Sequence, residues 1–343
     1  MSGRGFVGPA RGRYPRAIQP PRLATSPLDP HELELAAALA GALVDACARA
    51  VRAPRASLQA CVIALLSGGH VMIEDVPGVG KTVLAKSLAR AAGCEYSRLQ
   101  CTADLLPADV TGVTVWDQNA GAFLFRPGPV FANLVLVDEI NRASPKTQSA
   151  LLECMEEGQV TVDGQTRVLP QPFMIVATQN PVEYEGTFPL PEAQLDRFAV
   201  RVRIGYPPPR DEAAMILDLA AQDPVGLVRP VADDREIMAA RAAVERVHAE
   251  PALAEYVVAL GTATRRDPRV QLGASPRAGL ALLRAAKALA LLEGRGHALP
   301  EDVKALALSV LPHRLILTPD ARARGAVLED VVGDALESVP VPL

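Results

Sequence analysis

The sequence lacks an excess of base: 35 Lys and Arg stand against 39 Asp and Glu, a formal net charge of -4, with a pI near 5.8. A dedicated nucleic-acid binder usually carries a clear surplus of Lys and Arg, so nucleic acid is not the favoured partner. It also lacks any C-x-x-C pair or Cys/His cluster with metal-ligand spacing; Cys47, Cys61, Cys94, Cys101 and Cys154 stand apart and read as buried, reduced thiols. No apolar run reaches the length needed to cross a bilayer, and the first residues are Gly, Arg and Pro rather than a signal-peptide stretch. The expected compartment is a reducing cytosol, and the expected protein is cytoplasmic.

What is present is enough chain, 343 residues with 49% hydrophobic, to bury a large core and divide into two domains. Residues 1–29 hold Arg4, Arg11, Arg13, Arg16 and Arg22 with no acid before Asp29. This is expected to be a flexible basic tail, either a solvated extension or a contact for an acidic partner or membrane surface. From 30 to 207 helices alternate with short apolar strands at His70–Glu74, Leu134–Val137, Phe173–Ala177 and Phe198–Ile204, which predicts a parallel sheet sandwiched by helices. Helices are expected at Thr82–Ala92, closed by Gly93, and Pro145–Glu157, between Ser144 and Gly158. After Pro207-Pro208-Pro209 the pattern turns to Ala/Leu-rich helices, predicting an all-helical domain over 208–325 and a C-terminal tail over 326–343.

The strongest chemical signal is Val71-Met72-Ile73-Glu74, then Asp75-Val76-Pro77-Gly78-Val79-Gly80-Lys81-Thr82, then an amphipathic helix. Strand, phosphate loop and helix follow in order. Gly78 and Gly80 let backbone N–H groups approach a polyphosphate at the positive end of the helix. Lys81 is placed to neutralise β- and γ-phosphates, and Thr82 to ligate Mg²⁺. Asp75 stands where such loops usually begin with glycine.

A second apolar strand, Leu134-Val135-Leu136-Val137, ends in Asp138-Glu139. Beside a phosphate loop, Asp138 is the candidate Mg²⁺ ligand and Glu139 the candidate base for the attacking water. A third strand runs into Thr178-Gln179-Asn180, where the Asn180 amide is either a water-positioning group or half of an Asn-Pro turn.

These blocks, with Arg126-Pro127-Gly128-Pro129, Asp138-Glu139-Ile140-Asn141-Arg142, Leu190 to Phe198 and Gly273-Ala274-Ser275-Pro276-Arg277, resemble the AAA+ superfamily, and within it the MoxR family, over roughly residues 30 to 314. The resemblance implies an α/β P-loop core with a helical lid. It implies ATP and Mg²⁺ as cofactors, with Pro77, Gly78, Val79, Gly80, Lys81, Thr82 and Val83 around the nucleotide. It makes Asn180 the sensor 1 residue, Arg197 an arginine finger for a neighbouring subunit, and Arg277 the sensor 2 arginine reaching the γ-phosphate of its own subunit. Without the resemblance, each isolated arginine reads as a surface ion-pair partner.

It further implies a homo-oligomeric, hexameric ring and a chaperone-like action on client proteins, with a von Willebrand factor A-domain protein as partner. Two β-hairpins are expected, Thr111–Trp116 with Ala122–Phe125, and Gln159–Val162 with Gln165–Leu169 around Asp163-Gly164. In the resembling proteins such hairpins face the ring channel; from pattern alone they are equally plain sheet extensions. Two other functions stay open, a nucleotide-dependent binding switch with slow hydrolysis and a nucleic-acid motor, the latter disfavoured by the charge.

Overall fold

A strand that is apolar on both of its faces needs cover on both, and alternate residues of one strand must then enter two different cores. The computed structural model describes residues 27–180, 187–210, 212–213 and 223–342. The expected basic tail lies, up to residue 26, outside the described residues.

The chain opens with α1 (Pro30–Ala50), whose first N–H groups are capped by the Asp29 carboxylate, and α2 (Arg55–Leu66). Then come β1 (Val71–Glu74), α3 (Lys81–Ala91), β2 (Tyr96–Gln100) and α4 (Pro107–Thr111). A hairpin of β3 (Gly112–Asp117) and β4 (Ala122–Pro127) leads to β5 (Leu134–Asp138) and α5 (Pro145–Glu157). A second hairpin, β6 (Gln159–Val162) and β7 (Gln165–Val168), precedes β8 (Met174–Gln179), α6 (Glu192–Leu195) and β9 (Val200–Val202). Its Asp163 and Gly164 both take positive φ, 51° and 74°, as a tight two-residue turn requires.

One five-stranded sheet has the order β2-β5-β8-β1-β9, every pairing parallel. Leu134, Leu136, Val71 and Ile73 enter the cluster with α1, α2 and α3, while Val135, Val137, Met72 and Ile175 enter the one with α5. The strand order brings the carboxyl ends of β1, β5 and β8 side by side, where ligands of open parallel sheets bind.

The C-terminal part holds α7 (Asp234–Arg246), α8 (Pro251–Arg266), β10 (Val270–Leu272), α9 (Pro276–Leu292), α10 (Pro300–Val310), β11 (Ile316–Leu317), α11 (Pro319–Ala323) and α12 (Leu328–Ser338). Its helices share the first cluster with α1 and α2, so lid and sheet are joined by one apolar core. A short antiparallel ribbon, β10 with β11, adds strand to the expected helices. The tail expected over 326–343 is corrected over its described residues, 326–342: α12 buries Val331, Val332 and Ala335, an amphipathic spacing that needs a partner surface. All five cysteines are free, and burial pushes the Cys47 thiol up to about 12. Among the described residues, no helix is long and apolar enough to cross a membrane.

Candidate active site

The loop between β1 and α3 carries Gly78 at φ 86° and Gly80 at φ 93°, conformations that only glycine adopts without strain. A Cβ on Gly78 would point into open space, so that face of the loop is unobstructed. Gly80 heads α3 with no side chain capping the first N–H groups, which leaves them to an anion. The Lys81 ammonium lies over the loop, donating to the Asp75 carbonyl at 2.5 Å. Thr82 and Val83 follow in the first turn of the helix.

Asp75, the departure from glycine, has a structural task. Its Oδ2 accepts from the Ile204 and Gly205 N–H groups, each at 2.7 Å, and its Oδ1 from the Val76 N–H at 2.9 Å. The carboxylate ties the start of the loop to the chain leaving β9, and a glycine there could not.

Two strands away, Asp138 and Glu139 end β5. The buried Thr178 hydroxyl donates to Asp138 Oδ1 at 2.6 Å and accepts from the Glu139 N–H at 2.9 Å, so one side chain fixes both acids. Glu139 sits in the left-handed region, φ 56° and ψ 52°, a strained state for a non-glycine residue and one that clusters at functional sites. Its carboxylate accepts from Arg142 at 2.9 Å and Gln100 at 3.1 Å. Arg98 on β2 donates to Asp138 Oδ2 at 2.6 Å. Asn180 follows β8 at the same end of the sheet and is buried. Sequence reasoning left Thr178, Arg98 and Gln100 without roles; a polar threonine inside an apolar strand was the available signal for the first.

Arg197 and Arg277 lie elsewhere. Arg197 precedes β9 and Glu156 ends α5, both at the amino ends of the strands. Arg197 donates to the Leu152 carbonyl at 2.6 Å and pairs with Glu156 Oε2 at 2.8 Å, while Arg277 pairs with Glu156 Oε1 at 2.5 Å. The Glu156 carboxyl is held below its usual range, first by the hydrogen bond from Arg277. A cleft of about 360 Å³ joins these residues to Gly69 and His70, just before β1. From Gly69 to Asp75 the strand covers about 20 Å at ~3.3 Å per residue. Arg277 therefore cannot reach a phosphate on the loop of its own subunit, and that expectation is corrected. The lid places it beside Arg197 because Ser275, which caps α9, donates to Asp196 at 3.1 Å, and Asp196 also pairs with the buried Arg314 at 3.4 Å.

Residues 70–200 match the ATPase family associated with various cellular activities (AAA), and residues 262–335 match the AAA lid domain. YeaC of Bacillus subtilis is 49% identical over 280 residues, 82% of this chain and 88% of that protein. Chaperone MoxR1 of Mycobacterium tuberculosis is 41% identical over 290 residues, 82% of this chain and 76% of that one. A crystal structure of a Cytophaga hutchinsonii protein superposes with a TM-score of 0.85 at 34% identity, covering 91% of this chain and 98% of that chain. With an AAA core match, an AAA lid match and relatives that each cover 82% of its length, the chain belongs to the MoxR family of AAA+ ATPases.

Proposed function

We propose that this chain hydrolyses Mg-ATP at the carboxyl ends of its sheet and couples the cycle to remodelling or assembling client proteins. The observation that carries this is the convergence of the glycine loop, Asp138, Glu139 and Asn180 at one end of one sheet. Lys81 takes the β- and γ-phosphates, with residues 77 to 83 around the nucleotide. Glu139 polarises the attacking water and Asn180 holds it in line.

Thr82 and Asp138 would hold Mg²⁺. Both offer hard oxygens, and among the described residues no cluster of three or more His, Cys, Asp or Glu could hold a metal by itself. That donor set fits Mg²⁺, which takes one or two protein carboxylates and fills the remaining positions from phosphate and water. When bound with ATP the ion supplies charge neutralisation at the phosphates.

Arg197 and Arg277, at the other end of the sheet, serve the site of an adjoining subunit in a homo-oligomeric ring, by family resemblance a hexamer. The exposed Val113, Trp116, Phe123 and Leu124 of the first hairpin support a client-contacting role. A von Willebrand factor A-domain protein is the proposed partner and the cytoplasm the proposed compartment, both on family resemblance.

One observation favours a second reading, a binding switch with slow turnover: the Glu139 carboxylate is already engaged by Arg142 and Gln100. Steady-state ATP hydrolysis against protein concentration, with Mg²⁺ present and Glu139→Gln as blank, separates the two. Specific activity rising with concentration supports hydrolysis at a site completed between subunits. Tight ATP binding without turnover at any concentration overturns it in favour of the switch.

A further inference from the structure

Three acids, Glu153, Glu156 and Glu157, end α5, and its last turn holds no base. That is the reverse of what the partial negative charge at a helix carboxyl end favours, so the helix itself does not call for Glu156. Its carboxylate is engaged from outside, one oxygen by Arg277 and the other by Arg197. The cleft around them is also lined by Arg284 and Arg314, four arginines facing Glu156 and Asp196. Asp196 is committed to Arg314 and to the Ser275 hydroxyl. Arg197 and Arg277 share the single Glu156 carboxylate while Arg284 lines the same cleft, and such a cleft suits an anion carrying more than one negative charge.

We propose that Glu156 is a placeholder for phosphate: it holds Arg197 and Arg277 together where the terminal phosphate of a neighbour's nucleotide binds, and that phosphate must displace it for two subunits to close. The inference rests on the reading above that both arginines act across a subunit contact. Carboxylate and phosphate oxygens compete for the same planar guanidinium donors, and the phosphate brings the larger charge. A neighbour holding only a diphosphate presents no γ-phosphate, so Glu156 keeps the pair and the contact stays open. Glu156 is thus a positioning residue that makes association depend on which nucleotide is bound.

The test is assembly of the full chain, followed by sedimentation velocity against protein concentration with Mg²⁺ and either ATP or ADP, in a Glu139→Gln background that prevents turnover. Adding Glu156→Gln, which keeps the shape and removes the charge, is expected to lower the half-assembly concentration with ATP about fivefold, the effect of losing roughly 1 kcal/mol of competing ion pair. It is also expected to let ADP-bound subunits associate at concentrations where the parent does not. Glu157→Gln, the same charge change one residue along, is expected to do neither. An unchanged or raised threshold in Glu156→Gln, or an equal shift in Glu157→Gln, overturns the placeholder; loss of assembly in Arg197→Ala and Arg277→Ala would then leave the cross-subunit reading standing. Assembly that ignores nucleotide in the parent and survives both arginine changes overturns the two together.

Discussion

The carboxyl and amino ends of one sheet are built from different materials. At the carboxyl ends the chain offers backbone N–H groups, one lysine and two acids, held by short connections from β1, β5 and β8. At the amino ends it offers guanidinium groups carried by α9, by the segment before β9 and by the residues after α10, around Glu156 and Asp196. The first set is fixed by hydrogen bonds within the sheet, such as Thr178 to Asp138. The second is fixed by contacts between lid and core, such as Ser275 to Asp196. One end is thus set by local strand geometry and the other by how two parts of the chain dock, which leaves the arginines the more adjustable half.

The largest expected effect breaks this division if it is wrong. Arg197→Ala is expected to cut turnover by roughly 10³-fold, as for other arginines completing a phosphoryl-transfer site, with ATP affinity in the isolated subunit unchanged. Mixing it with Glu139→Gln should restore part of the activity, since each variant supplies what the other lacks. A loss of ATP affinity in Arg197→Ala, measured by titration with a fluorescent nucleotide, would put both ends in one site.

Next in size, Lys81→Ala is expected to weaken ATP binding about 100-fold, the loss of one or two charge-assisted hydrogen bonds. The same titration checks it, and unaltered affinity would remove the glycine loop from the site. Thr178→Val keeps the buried shape but frees Asp138 and the Glu139 N–H. Turnover should fall about tenfold with ATP affinity kept within about twofold, as for supporting groups that orient a site without touching substrate.

The smallest effect belongs to the amino ends. His70 is buried; its Nδ1 accepts from the Ile175 N–H at 3.0 Å, so Nε2 carries the proton donated to the Met155 carbonyl at 3.1 Å. Burial, aided by the nearby Arg241 charge, lowers its pKa to about 4 against the opposing effect of the Met155 contact. The unfolded chain, with an ordinary histidine, binds the proton first as pH falls below 6.5, so stability present above that pH is lost progressively down to about 4. At pH 6 the loss from this residue is about 0.8 kcal/mol. Thermal unfolding of His70→Asn should show a shallower decline between pH 6.5 and 4 than the parent; an equal slope would assign the decline to other groups.

Much of the geometry at the carboxyl end could be read from residues, because the glycine loop and the acidic strand end are consecutive stretches in which spacing alone sets where the side chains stand. β1, β5, β8 and both hairpins follow from apolar runs and turn pairs. β2 did not, since Tyr96-Ser97-Arg98-Leu99-Gln100 is an edge strand that buries only Leu99 and has no apolar pattern to betray it. Asp75 reads as a defect in a motif until its carboxylate is seen bridging to the chain that leaves β9. Arg277 was assigned to its own subunit because sequence order carries no information about which end of the sheet a lid helix meets. The C-terminal helix was missed for a similar reason: Val331 and Val332 have meaning only against the surface they cover.

On the proposed cross-subunit reading, having the two half-sites at opposite ends of the same strands bears on how copies can join. A two-fold dimer whose contact spans both ends would bring each Arg197 to the other copy's loop and complete two sites at once, whereas a head-to-tail contact completes one site per pair. Head-to-tail contact, unlike the two-fold one, has a direction. A pair of subunits then owns one finished site, an open row always leaves one loop unserved at its end, and closure alone makes every member equivalent. On the proposed cross-subunit reading, a single subunit lacking its arginine is expected to silence its neighbour's site and spare its own, so that in mixed head-to-tail assemblies the lost activity is counted by contacts and not by subunits.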